Sequence, residues 1–593
     1  MDEERQSTDE PNLSSRTQPS SLRNYRPLAQ LVNFIGHSPI ACRSETTHYY
    51  RVSSNGQYGA GYCSVIPPFQ SRVFGIPSTI HSGKTFLRTE PIPTQAYISQ
   101  NGSGTIEDPF VVEFRHDDPR NPMNFSPARK WLITAIGTLS VFAITLTSSA
   151  YTGSAEKIIA EFDVSSEVFA LGISLFVLGF ALGPALWAPL SELYGRQILF
   201  IITHAFLVAF VAASAGCKSM ASLLVFRFLT GTFGASPLTN SGGLIADLFP
   251  PAQRGLAMSI FAAAPFMGPV LGPLLGGFIT ITIGWRWVQA VCCIFIGIVW
   301  IVGIILVPET YGPVLLHKIA KHDSRKTRKV YISVMERNNG GVKVSEVIAK
   351  ALKRPWILLF REPIVLIAST YMAILYGTIY MFIGAFPIVY EQSRGWNAGI
   401  GGLAFLGLAI GMLIGLIYTM IDNGRYKKLG KMATPESRLP PAMIGAIALP
   451  IGMFAFAWTN SPNIHWSASI ILSAPFGFGA VLVFLSCLNY LLDAYTIYAA
   501  SVLAAGAMLR SFFGAAFPLF TTQMYANLGI HWASSIPAFL TVACLPFPFV
   551  MYKYGAELRM KCKYAQEAAV MMAHLQTEAP GSLEALDEES SSM

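Results

Sequence analysis

Residues Pro265–Gly277 read PFMGPVLGPLLGG, with prolines at 265, 269 and 273, glycines at 268, 272 and 276, and Gly277 following. Both sets recur every four residues, so on a helix they form two adjacent stripes. In a water-exposed helix each interior proline would cost about 3 kcal/mol and each glycine roughly 1 kcal/mol. Inside a membrane bundle the freed carbonyls are met by neighbouring helices, hydroxyls or water. Glycines there let a second backbone come close. The flanks from Gly255 to Ile283 are apolar and uncharged, long enough to cross a bilayer. The run predicts a bent transmembrane helix with a glycine contact face.

The rest of the composition agrees. Of 593 residues, 52% are hydrophobic and only 13% charged, which excludes an ordinary soluble protein. The formal charge of +8 does not point to nucleic acid, because the basic residues gather in particular loops, as orientation signals do. The eight cysteines (Cys42, Cys63, Cys217, Cys292, Cys293, Cys487, Cys544 and Cys562) form no CxxC pair and mostly lie in apolar runs. They read as small core hydrophobes, so no metal, redox centre or other cofactor is expected. The first apolar run of spanning length starts near Trp131, and no cleavable signal peptide is read before it.

Residues 1–107 are rich in Ser, Thr, Pro and Gly without sustained periodicity and read as a disordered cytoplasmic arm. A polar lead-in follows over 108–130. Twelve spans are expected at about 131–152, 168–189, 198–216, 221–246, 255–283, 287–307, 363–389, 398–421, 439–459, 466–492, 497–525 and 532–552. The hydrophilic stretch 308–362 separates the sixth from the seventh, so the plan is six plus six: bundles over 131–307 and 363–552, and a tail over 553–593. One set of loops holds Arg129, Lys130, Arg196, Arg254, the cluster Lys318–Lys329, Arg425, Lys427, Lys428, Lys431, Lys553, Arg559, Lys561 and Lys563, against only Lys157, Lys218, Arg286 and Arg394 on the other side. The positive-inside rule then puts both termini in the cytoplasm. The sequons at Asn101 and Asn124 would face the same compartment and go unused, and the acidic tail from Glu578 would be solvated.

Several residues carry chemistry that an apolar span does not need. The turn APLSELYGRQ (188–197) places Leu190, Glu192, Gly195 and Arg196 at a helix junction. It resembles the signature between the second and third helices of the major facilitator superfamily, with Glu for the usual Asp, Ala188 for the leading Gly and Gln197 for the last base. The resemblance implies a latch holding the outward-facing state. Arg227, within FRFLTGTFGAS, lies inside the fourth span, where an arginine costs about 2.5–3.5 kcal/mol on insertion scales. With Gly231 it fits the family's R-x-x-x-G pattern, implicated in proton transfer. Bonding to backbone carbonyls in a purely structural role is the competing reading. Gly268, Gly272, Pro273, Gly276 and Gly277 match the g-x-x-x-G-P-x-x-G-G pattern of drug:proton antiporters, which sugar symporters lack. Longer strings, among them PLTNSGGLIADLF, VPETYGPVLL, ESRLPPAM, NYLLDAY and RSFFGAAFPLF, resemble a fungal subgroup of twelve-span drug:proton antiporters.

That resemblance implies an all-α major facilitator fold of two pseudo-symmetric bundles and a central cavity lined by the first, fourth, seventh and tenth spans. Candidate contacts there are Asn240, Tyr371, Tyr376, Tyr380, Phe382, Asn489 and Tyr490, with Tyr376 and Tyr380 on one helical face. Asp247 and Asp493 take equivalent places at the ends of spans four and ten and read as junction acids. Arg510, in span eleven, has no acidic neighbour in its own helix. No acid lies clearly mid-helix, which favours neutral amphipathic molecules over polycations. The expectation is a monomeric, proton-coupled exporter of small organic compounds in the plasma membrane, or alternatively the vacuolar one. Its partners are substrate, protons and lipid, not nucleic acid. The competitors are an uptake symporter of the same fold, a polyamine exporter, a membrane enzyme and a non-transporting receptor. For the enzyme there is no HExxH, GxSxG or P-loop motif.

Overall fold

The computed structural model describes residues 98–99, 102–115, 117–250, 253–339, 344–429 and 434–571. The arm before Ile98, the sequon at Asn101 and the tail from Glu578 lie outside the described residues. Helices account for nearly everything else. The first half holds α1 (Pro127–Ala150), α2 (Ser166–Tyr194), α3 (Arg196–Ala215), α4 (Met220–Leu248), α5 (Arg254–Ile283) and α6 (Trp285–Leu306). The second holds α7 (Pro363–Phe386), α8 (Phe405–Leu429), α9 (Pro440–Thr459), α10 (Trp466–Ala494), α11 (Ala499–Cys544) and α12 (Pro546–Lys561).

The ends of these helices follow local chemistry. Ser165 and Ser219 cap α2 and α4 by accepting the backbone N–H groups of Val168 and Ser222. Gly195 at φ 97° and Gly284 at φ 98° end α2 and α5 and start the next helix at once, a conformation that side chains other than glycine rarely adopt. The long α11 is broken at Gly529, φ 71°, so its second part leads into α12 beyond a kink.

Ten segments among the described residues are long and apolar enough to cross a membrane. The helix α4 is not one of them, because Arg227, Asn240 and its Ser, Thr and Gly residues dilute its hydropathy. The eleventh and twelfth expected spans run together in the segment Thr496–Lys561. The exposed sides are apolar, the reverse of a soluble bundle. On α6, Ile294, Ile298, Ile301 and Ile305 are exposed, while Val288, Cys292, Ile296 and Val299 face inward.

Packing divides the chain where the sequence does. In the first half α1 packs on α5, α2 on α4, and α3 on both α4 and α6. In the second, α7 packs on α11, and α10 on α8 and α9. Two seams join the halves: α2 against α11, and α5 against α8 with the short helix Ala398–Leu403 before it. The hydrophilic connection 308–362 carries helices of its own, Gly312–Thr327 and Val344–Arg361. It also supplies strand Tyr331–Ser333, which pairs in parallel with Phe110–Val112, itself antiparallel to Ile98–Ser99.

Candidate functional site

The glycine stripe of α5 faces α1. A Cβ built on Gly268 would strike the Thr145 hydroxyl, one on Gly272 would lie 2.6 Å from the Leu146 carbonyl oxygen, and one on Gly276 would strike the Ala150 carbonyl. Thr145 and Ser149 return the contact, directing hydroxyls toward the carbonyls of Ala264 (3.3 Å) and Gly268 (3.5 Å). Both carbonyls belong to the residue just before a proline, Pro265 and Pro269 respectively. Gly277, the last of the run, faces the second half instead, against Ala398 and Gly399, while Gly402 abuts Pro273 and Leu274. The motif therefore brings α5 to backbone distance from helices of both halves.

Arg227 is 1% exposed. Its guanidinium donates to three carbonyls: Nε to Gly172 (3.1 Å), Nη1 to Thr147 (3.1 Å) and Nη2 to Ser148 (2.6 Å). The rings of Tyr151 and Phe176 lie 4.5 and 4.4 Å from its carbon. It thus ties α4 to α1 and α2. Gly231, one turn on, meets the backbone of Phe176, which keeps α2 and α4 close.

From Arg227 a line of polar groups crosses into the second half. The Ser148 hydroxyl lies 2.8 Å from the Tyr380 hydroxyl, and Tyr376 donates to Tyr380 at 3.5 Å. Arg510 sits 5.1 Å from the rings of both Tyr376 and Phe484, and Phe266 of α5 packs edge-on against the same two rings. The expected shared face of Tyr376 and Tyr380 is present. Phe382 points elsewhere, into a cluster with Phe386, Phe456 and Phe476. Tyr371 packs edge-on to Phe547 of α12, Tyr490 is fully buried, and Asn489 is half-buried.

Asn240 stands apart from this group. Its amide donates to Ser236 (2.9 Å), and it lines a small cavity, with room for little more than a water, together with Ser241, Leu244, Arg196 and Val307. Arg196 belongs to the junction at the basic end of the bundle. Its Nε donates to Asp247 (3.2 Å), its Nη1 to Ser191 (2.5 Å), and its backbone N–H to Glu309 (2.9 Å). Leu190 is half-buried beside it and Glu192 is exposed. Gly195 leaves no room for a side chain, since a Cβ there would strike the Glu309 carboxylate. Asp493 has a matching arrangement, accepting from Arg438 (2.9 Å) and Tyr426 (3.0 Å).

Two partners escape sequence reasoning. Glu309, inside PETYG, accepts the backbone N–H groups of Arg196, Thr310 and Tyr311. Arg438, inside ESRLPPAM, holds Asp493. Both strings are conspicuous, but a string does not say what it touches. The equivalence of Asp247 and Asp493 is the available signal, because an acid repeated at the same place in each half asks for a repeated base.

Residues 137–518 match the Major Facilitator Superfamily. The chain is 65% identical over 486 residues to the major facilitator-type transporter sorT of Penicillium rubens, covering 80% of this chain and 92% of that one. It is 60% identical over 478 residues to the MFS-type efflux pump MFS2 of Trichophyton rubrum, covering 80% of each. Among solved structures, the proton:xylose symporter XylE bound to 6-bromo-6-deoxy-D-glucose superposes with a TM-score of 0.53 at 18% identity, over 72% of this chain and 96% of that one. At that identity the likeness is one of fold.

Proposed function

The chain belongs to the major facilitator superfamily and is a multi-pass membrane transporter, and from that premise we propose that it exports small organic compounds in exchange for protons. What supports the export direction is the sequence of α5, whose Gly268, Gly272, Pro273, Gly276 and Gly277 resemble the antiporter pattern that sugar symporters lack. Its glycine–proline stripe meets α1 on one side and the short helix Ala398–Leu403 before α8 on the other, so one helix contacts both halves where a rocking motion must pivot or part. Relatives named as efflux pumps support the same direction.

The two halves take turns opening. Inward-facing, the carrier receives its substrate from the cytoplasm or inner leaflet; outward-facing, it releases it and takes up protons. The Arg196–Asp247–Glu309 and Arg438–Asp493 junctions brace the cytoplasmic ends of each half. The central group Ser148, Tyr376, Tyr380 and Arg510 is where both halves meet a substrate. Asn240, Tyr371, Phe382, Asn489 and Tyr490 remain secondary candidates for contact. One charge moving through 100 mV supplies about 2.3 kcal/mol, enough at 1.4 kcal/mol per tenfold to hold a roughly fifty-fold gradient of a neutral compound.

The test is accumulation of azoles, cycloheximide, polyamines and fungal metabolites in cells overproducing the protein, with and without a protonophore. Lower accumulation that the protonophore abolishes is the expected result. Higher accumulation of any of these compounds would mean uptake and reverse the proposed direction.

A further inference from the structure

We infer that the central site is built for organic anions: flat, apolar molecules carrying one acidic group, held by Arg510. Two guanidinium groups, Arg227 and Arg510, lie inside the bundle, and among the described residues neither has a carboxylate partner. Their situations differ. Arg227 spends its donors on three backbone carbonyls. Arg510 has its Nε shut off from solvent without a hydrogen-bond acceptor, and its guanidinium carbon lies 5.1 Å from each of two aromatic rings.

Ring faces weaken the isolation of a buried cation but accept no planar fork of hydrogen bonds. A carboxylate or sulfonate supplies both the charge and the acceptors, and an unpaired charge in a low-dielectric interior gains most from such a partner. The surroundings fit the rest of the molecule. Tyr376 and Phe484 of the second half flank Arg510, and Phe266 of the first half packs edge-on against those two rings at 5.9 and 4.4 Å, so the residues around the guanidinium are aromatic, which suits a flat apolar body. The Tyr376 and Tyr380 hydroxyls add polar tips on the same side. A cationic substrate would meet two like charges and, among the described residues, no carboxylate bonded to either. The lack of a mid-helix acid favours neutral molecules over polycations on sequence grounds, and the absence of an acceptor at the Arg510 Nε moves that preference on to anions.

The inference rests on the transport reading for its setting but not for its test, which is binding. The full-length protein, purified in detergent, is titrated with three isosteres, naphthalene-2-sulfonate, naphthalene-2-sulfonamide and 2-naphthylmethyl-trimethylammonium, and affinity is read from the shift in thermal unfolding. The sulfonate is then followed in proteoliposomes under an imposed proton gradient. At least tenfold tighter binding of the sulfonate than of either isostere is expected, with the ratio falling toward one in Arg510→Gln and to an intermediate value in Arg510→Lys. The ratio is taken within each variant, so lowered stability does not mask it, and Arg510→Lys serves alone where Arg510→Gln does not fold. Equal binding of the three, no binding of the sulfonate, or a ratio unchanged by substitution overturns the inference. Anion-selective, Arg510-dependent binding without proton-driven flux upholds it and counts against the efflux reading instead.

Discussion

Arg227 shows how little a residue's position says about its task. An arginine in lipid is expensive, and the sequence places one six or so residues inside a span, so a special role is legible. Its partners are not, because Thr147, Ser148 and Gly172 offer main-chain carbonyls that any residue type would offer. The geometry makes Arg227 a brace across three helices. Charge-assisted hydrogen bonds contribute about 1.5–3 kcal/mol each, though not additively. Arg227→Ala is therefore expected to destabilise the protein by roughly 3 kcal/mol or more, and Arg227→Lys, which keeps the charge but loses the fork, by less. Thermal unfolding of the purified variants measures this. An Arg227→Ala protein as stable as the wild type but unable to transport would assign the residue to proton coupling and not to bracing.

Among the elements, α5 is the most legible, because its proline and glycine spacing is a covalent fact that only a packed helix tolerates. What the spacing withholds is the partner, α1, whose contact residues Leu146, Ser149 and Ala150 carry no motif. Position 272, in the middle of the stripe, offers a test. A Cβ there would sit 2.6 and 2.7 Å from backbone atoms of Leu146 and Ala150, whereas one at Gly297 of α6 meets nothing within 4 Å. Overpacking a close contact costs typically about 1–3 kcal/mol. Gly272→Ala is expected to lower stability by about that much and to reduce export sharply, and Gly297→Ala to leave both near wild type. Equal tolerance of the two substitutions in a transport assay would remove the reason for the stripe. The helix α4 forms where a span is expected despite its diluted hydropathy, since the apolar residues on either side of Arg227 are sufficient for length. The helices within 308–362 are less visible: they are amphipathic, and their charge content reads as a hydrophilic linker.

For the whole molecule, the two basic-end junctions repeat one design. Arg196 reaches Asp247 from the turn after α2, and Arg438 reaches Asp493 from the segment before α9. Each pair lies within its own half, so neither fastens one half to the other. That contact is made beside them. Arg438 also donates to Asn423 of α8 (3.2 Å), and the Asn423 amide lies against Gly255 at the start of α5, 2.7 Å from where a Cβ would stand. Asn423 thus connects the brace of the second half to the first half across the seam. A side chain at 255 has to displace that amide, and a penalty of about 1–3 kcal/mol changes a two-state population by roughly fivefold to 140-fold. Gly255→Val is accordingly expected to part α5 from α8 at this end and favour the state open there. Spin labels at Gln253 and Gly424, both exposed, report it as a longer mean distance than in the parent, with weakened export. An unchanged distance distribution would show that the seam is held by other contacts, and the brace of the second half would then act on its own helices alone.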